Sequence, residues 1–285
     1  MGDIATFTSP VLTIEQQEHV ATVWLNRPEA RNAMGEDFWR DLPRAMAAVG
    51  EDNSVRVVVV AAKGSQFSAG LDLKTMGGLV SDGSSPGDRP TAPPSAAVRA
   101  RSTRATVIRL QASISSVAQC PKPVIAAVHG YCIGGGVDLV AACDIRLASA
   151  DATFSVREAK VAIVADIGSL QRLPAIISAG HLAELAYTGK DISAARAKEI
   201  GLVNDVSPDA EGVLKAAYEL ANEIAANSPV AVQGTKAVLA ANDGRTVAEG
   251  LDYVATWNAG MLASDDLIEA MTAFLEKRAP KFTGR

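Results

Sequence analysis

Apolar positions along the chain fall into two rhythms. Runs rich in β-branched residues stand at "HVATVWL" (19–25), "RVVVVAA" (56–62), "PVIAAVHG" (123–130) and "DIRLASA" (144–150). Short bounded runs of this kind predict buried strands. Between them, "GEDFWRDLPRAMAAV" (35–49) and "SAAVRARSTRATVIRLQASISSVAQ" (95–119) have helical patterns. The alternation predicts an α/β architecture whose helices cover sheets. After about residue 206 the strand pattern stops, and helical segments follow at 210–227, 229–242, 246–263 and 264–278. Ser264 before Asp265 and Asp266 predicts an N-cap with acidic residues in the first turn of the last helix. The expected division is a core over 1–205 and a helical region over 206–285 that completes the core or makes an oligomer contact. "SDGSSPGDRPTAPPS" (81–95) is too rich in Ser, Pro and Gly for regular structure and predicts a surface loop.

Composition narrows the class. With 285 residues, 48% of them apolar, the chain can bury a sizeable core. Its longest apolar runs are too short to span a bilayer. The start "MGDIATFTSP" lacks the basic and apolar regions of a signal peptide, and the end "KFTGR" is not a peroxisomal address. Cys120, Cys132 and Cys143 are odd in number, sit in apolar surroundings and fit no zinc spacing, so they read as reduced core cysteines. With only three histidines, no histidine-rich metal centre is expected. No separate cofactor is expected either, and the reduced cysteines agree with an expected cytoplasmic compartment. A net charge of −5 argues against nucleic acid as a partner and leaves room for an anionic small molecule at a local basic patch.

Three stretches bear candidate chemistry. In "GGGVDLVAACDIR" (134–146), three glycines precede Asp138 and an apolar run. Each Gly costs about 1 kcal/mol against Ala inside a helix. At a helix start they leave backbone N–H groups bare, at the positive end of the dipole, where an anion or oxyanion is welcome. Close packing against a strand would use the same glycines but has no need of Asp138. In "GSQFSAGLDLKTM" (64–76), glycines after a strand suggest a sharp turn, either an ordinary strand-to-helix turn or a second bare donor opposite Gly135. In "TFSVREAKVAIVADIGSLQRLP" (153–174), the acids are Glu158 and Asp166. Taken singly, Asp166 reads as an N-cap for a helix starting near Gly168, and Glu158 as a solvated surface residue.

Together these stretches resemble the crotonase, or enoyl-CoA hydratase/isomerase, superfamily. The resemblance runs through "LNRPEARNAM" (25–34), "FSAGLDL" (67–73), "KPVIAAVHGYCIGGGVDLVAACDIRLAS" (122–149), "SLQRLP" (169–174) and "FLEKRAPKF" (274–282), nearly the whole chain. It implies a spiral of ββα units with a C-terminal helical trimerisation region, an acyl-CoA thioester substrate and a homotrimer or homohexamer. The family's oxyanion hole maps to the N–H groups of Leu71 and Gly135. Hydratases of the family carry glutamates at the positions of Asp138 and Glu158 and a glycine at that of Asp166. The set Asp138, Glu158 and Asp166, with "CIGGGVDL" and "VADIGSLQRLP", resembles the Δ3,5-Δ2,4-dienoyl-CoA isomerase branch.

That resemblance implies removal of a proton at carbon 2 and addition of one at carbon 6, in fatty-acid β-oxidation. Glu158 is assigned to carbon 2, Asp138 to carbon 6, and Asp166 to tuning Glu158. Three carboxylates in one apolar pocket cannot all ionise cheaply, so at least one should hold its proton near neutrality. Ala69, Gly70, Leu71, Asp72 and Leu73 are expected along the substrate. Arg27 and Lys281, with Arg31, Lys74 and Lys277, are candidates for the phosphates of coenzyme A. Two alternatives share the fold: a 2-enoyl-CoA hydratase, which has no use for Asp166, and a non-catalytic scaffold.

Overall fold

A strand that is apolar on both faces can only be satisfied inside a layered sheet, and four such segments pair here. The computed structural model describes residues 4–73 and 95–285. In chain order the first elements are β1 (Leu12–Gln17), β2 (Val20–Leu25), α1 (Glu36–Glu51), β3 (Val57–Ala62), α2 (Ala96–Ala118), β4 (Val124–Val128), β5 (Tyr131–Ile133), α3 (Gly135–Ala141) and β6 (Ile145–Ser149). There follow β7 (Thr153–Ser155), α4 (Ser169–Arg172), α5 (Ala179–Thr188), β8 (Ile192–Ser193), α6 (Ala194–Glu199) and β9 (Asp205–Ser207). The chain finishes with α7 (Ala210–Ala225), α8 (Pro229–Ala241), α9 (Val247–Met261) and α10 (Asp265–Glu276).

One sheet has the order β1-β2-β3-β4-β6-β9, antiparallel between β1 and β2 and parallel elsewhere. A smaller sheet, β5-β7-β8, stands beside it. Side chains alternate between the faces of the large sheet. Val58, Val60, Ala126, Val128 and Ala148 enter the core shared with α1, α2, α3 and the small sheet. Val57, Val59, Ile125, Ala127 and Leu147 face α7, whose Val213, Ala217 and Ala221 close that side. Each Val or Ile buried in this way contributes roughly 1.5–3 kcal/mol, which is why these strands need no polar face. After β4 the chain crosses to the small sheet for β5, returns as β6, and crosses again for β7. This spiral sets the β5–α3 junction against the turn that follows β3.

The four expected strands and both long helices are present, with ends shifted by one or two residues. The short strands β1, β5, β7, β8 and β9 and the helices α5 and α6 had no periodicity long enough to announce them. β9 spans the expected boundary at 205/206, and α7 belongs to the core, so the separate helical region is α8 to α10. Ser264 caps α10 as expected, accepting from Leu267 N–H at 3.2 Å. The loop expected over 81–95 lies, except for Ser95, outside the described residues, as does Lys74. No helix among the described residues is long and apolar enough to cross a membrane.

Candidate active site

The turn after β3 is fixed by the "LNRPEARNAM" segment. Buried Asn32 accepts from Arg27 N–H at 2.8 Å and donates through Nδ2 to the carbonyls of Lys63 and Gln66 at 2.9 and 2.8 Å. Ser68 Oγ donates to Asn32 O and accepts from Gly70 N–H. Met34 then forms a parallel bridge with Leu71. Met34 N–H donates to Gly70 O at 2.8 Å, and Asp72 N–H donates to Met34 O at 3.0 Å. In that geometry the Leu71 amide, between the two bonded groups, faces away from Met34.

On the side it faces stands the start of α3. Gly134 N–H donates to Ser155 O, while Val137 and Asp138 N–H both donate to Gly134 O, leaving the Gly135 amide with no acceptor among the described residues. The approach is tight. A Cβ on Gly70, whose φ is +83°, would sit 2.5 Å from Ile133 O and 3.4 Å from Gly135 N. A Cβ on Gly135 would sit 2.9 Å from Met34 Sδ and 3.9 Å from Leu71 N. Glycine at both positions lets the two bare amides converge, and the expected oxyanion-hole pair is brought together.

A pocket of about 610 Å³, open mouth included, lies in front of these amides. Ala69, Gly70, Leu71 and Leu73 line it with Gly135, and Glu158 and Asp166 supply its carboxylates. Val161, Ile163 and Ile167 make the rest apolar, and Arg157 stands at its edge, paired with Asp191. Glu158 opens a short 3₁₀ turn, and its Oε1 lies 3.2 Å from where a Cβ of Gly134 would be. Its Oε2 is buried with no hydrogen-bond partner. Burial above all, then the negative charges of Asp138 and Asp166, pushes the Glu158 carboxyl up to about 7. Burial also raises Asp166.

Asp138 is placed differently. It is 1% exposed, and it does not line the pocket with the other two acids. Ser169 N–H, the first amide of α4, donates to its Oδ1 at 2.5 Å. Burial pushes its carboxyl up to about 6, against the pull of that amide and of Arg172. The N-cap of α4 is Gly168 rather than Asp166, whose side chain is thereby left to the pocket.

The described cationic candidates all lie outside the pocket lining. Arg27 Nη1 binds Asp72 Oδ2 at 2.7 Å, with Glu29 at 3.8 Å. This pair ties the start of the "LNRPEARNAM" segment to the residue after Leu71, so Arg27 and Asp72 stiffen the turn and neither lines the pocket. Arg31 is exposed with φ +52°, its carbonyl accepting from Ala69 N–H. Lys277 caps α10, and Lys281 N–H donates to Glu269 Oε1 at 2.7 Å; both are exposed and outside the pocket lining. Sequence reasoning missed the Ser169 amide, Arg157, and the α2 residues Gln111 and Ser115, which brace the 166–172 segment. Of these, only Ser169 had a local signal, a glycine just ahead of a helix start.

The fold and the two convergent amides define a crotonase-type α/β enzyme. The enoyl-CoA hydratase/isomerase family model matches residues 15–87 and 96–285. The chain belongs to that family, and with it to the enzymes that act on acyl-CoA thioesters. It is 43% identical over 258 residues to the peroxisomal Delta(3,5)-Delta(2,4)-dienoyl-CoA isomerase of Arabidopsis thaliana, covering 90% of each chain. To the mitochondrial Delta(3,5)-Delta(2,4)-dienoyl-CoA isomerase of Homo sapiens it is 45% identical over 267 residues, 93% of this chain and 79% of that one. The crystal structure of the enoyl-CoA hydratase from Bacillus anthracis superposes with a TM-score of 0.84 at 31% identity, over 96% of this chain and 100% of that one.

Proposed function

We propose that the protein isomerises 3,5-dienoyl-CoA to 2,4-dienoyl-CoA. The supporting observation is the pairing of two carboxylates, Glu158 and Asp166, in one pocket with the Leu71 and Gly135 amides. Moving the diene requires that a proton leave carbon 2 and that one arrive at carbon 6, while charge builds on the thioester oxygen. The two amides receive that charge; donors fixed in this way are worth several kcal/mol in a transition state. Glu158, packed against Gly134, is the base at carbon 2. A carboxyl titrating near 7 can accept and later release a proton at working pH.

The assignment of the other two acids changes from the one the sequence alone suggested. Asp138 is sealed behind the pocket, whereas Asp166 lines it, so Asp166 is the acid for carbon 6 and Asp138 the tuning charge. Names of relatives at 43–45% identity support the same reaction. The test is ultraviolet absorbance. A 3,5-dienoyl-CoA should gain the band of the conjugated 2,4-dienoyl thioester far faster than a 2-enoyl-CoA loses its own by hydration. Fast hydration without isomerisation refutes the proposal.

The same reading includes assembly. α8 to α10 leave Leu239, Val247, Leu251, Ile268, Met271 and Phe274 largely exposed, and clustered apolar exposure of this kind marks interaction surfaces. A closed homotrimer, alone or as a pair of trimers, would cover it.

A further inference from the structure

Asp138 is held by more than its own helix. The Ser169 amide that donates to it is presented by a turn through Gly168, at φ +138°. That φ calls for glycine, and a Cβ there would meet Nη1 at the flexible end of the Arg172 side chain. Arg172 therefore folds back from the end of α4 and lies across the N-cap of its own helix. Its Nη2 donates to Ser115 Oγ at 2.9 Å, and its Nη1 reaches toward Ile167 O at 3.4 Å. One turn earlier on α2, Gln111 Nε2 donates to Asp166 O at 2.7 Å. Gln111 and Ser115 are four residues apart and share a helix face, so a single face of α2 braces both ends of the segment from Asp166 to Arg172.

Both hydrogen-bond acceptors of the guanidinium, the Ser115 hydroxyl and the Ile167 carbonyl, are neutral. A cation taken partly out of water is costly unless an opposite charge lies within reach. Asp138 is the negative charge that Arg172 senses without a direct ion pair: each group favours the ionised form of the other, against the burial that opposes both.

We infer that Arg172 is a positioning residue of the site, pinning the Gly168–Ser169 turn onto Asp138 and placing a cation beside the cluster of acids. The inference rests on the reading that Asp138 belongs to the proton-handling cluster. The groups facing Asp138 are the Ser169 amide and Arg172 from α4, Asp166 and Glu158 from the segment before it, and the Cys132 thiol from β5. Arg172 is the cation among them.

The experiment is a carboxyl ¹³C NMR titration of the full-length protein labelled at aspartate, with the Asp138 signal assigned by its loss in Asp138→Asn. Arg172→Gln should raise the Asp138 midpoint by about one pH unit, a tenfold gain in proton affinity. If that variant does not fold, Arg172→Met serves as the neutral replacement. Arg172→Lys, which keeps a cation, should cancel at least half of the rise. An unchanged midpoint in the neutral variant overturns the inference, as does a full rise in the lysine variant. Isomerase turnover is measured on the same proteins. A midpoint that moves, together with an Asp138→Asn enzyme as fast as the parent, would leave the hold of Arg172 intact and remove Asp138 from the proton-handling cluster.

Discussion

Replacing Asp138 by Asn should make the protein more stable, and increasingly so as the pH rises. The carboxylate is 1% exposed, and its folded-state value of about 6 compares with an ordinary 3.8. A carboxyl raised by folding contributes its stability below the unfolded value, in the protonated form, and loses it as pH climbs through the folded value. Linkage then sets the loss in the parent at ~3 kcal/mol at pH 8. At pH 5, where the folded carboxyl is mostly protonated, the loss is ~1.6 kcal/mol. Asparagine does not titrate, and its Oδ1 still accepts from Ser169 N–H. Any fixed cost of its extra amide protons is the same at both pH values and cancels in the comparison. Urea unfolding of both proteins at one chain concentration should therefore show the stability of Asp138→Asn relative to the parent improving by ~1.4 kcal/mol from pH 5 to pH 8. A difference that stays constant, or grows toward pH 5, would show that Asp138 is not buried as a strained carboxylate. Turnover should fall in the same variant, the usual exchange of activity for stability at a site that holds an uncomfortable charge.

Other expectations follow from the same geometry. Gly70→Ala puts a Cβ 2.5 Å from Ile133 O at φ +83° and should cost ~2 kcal/mol or more in urea unfolding, with turnover reduced at least tenfold, since it shifts Leu71 as well. The kcat/KM for isomerisation should rise with pH through about 7 as Glu158 ionises to serve as base, and Glu158→Gln should abolish that limb together with deuterium exchange at carbon 2; a flat profile from pH 5 to 9 removes Glu158 from that role. Leu251→Glu, on the exposed face of α9, should shift the mass by light scattering from three or six chains toward one, and a parent already monomeric at micromolar concentration refutes the proposed assembly.

Legibility in the sequence followed the range of the interaction concerned. The strands at 57–62 and 124–128 were readable because burial on both faces leaves an unbroken apolar run. Gly70 and Gly135 were readable because a bare amide needs glycine beside it, whatever the rest of the fold does. β5 and β7, three residues each, have no period of their own and exist through pairing with each other. The roles of the acids divided along the same line. That Asp138, Glu158 and Asp166 would gather was legible from motif order, but which of them faces the pocket depends on Gly168 taking the N-cap of α4 and on Gln111 holding Asp166 O. Arg27 shows the limit most clearly: a basic residue in the "LNRPEARNAM" stretch looked available for the phosphates of coenzyme A, and only its distance to Asp72 revealed that its charge was already engaged.

The junction between Leu71 and Gly135 also bears on how the chain reaches its native state. One amide comes from the turn after β3 and the other from the start of α3, and they meet only when Met34, Ile133 and Gly70 are all in register. Such non-local contacts are formed late and slowly compared with helices or hairpins, because the intervening chain must be closed before they repay its lost entropy. A half-folded molecule can already have its helices and the β1–β2 hairpin and still have no paired donors. On refolding from urea, recovered turnover should therefore lag behind recovered helical signal, and nascent chains should stay chemically silent until α3 and the later segment with Glu158 and Asp166 have both emerged and docked.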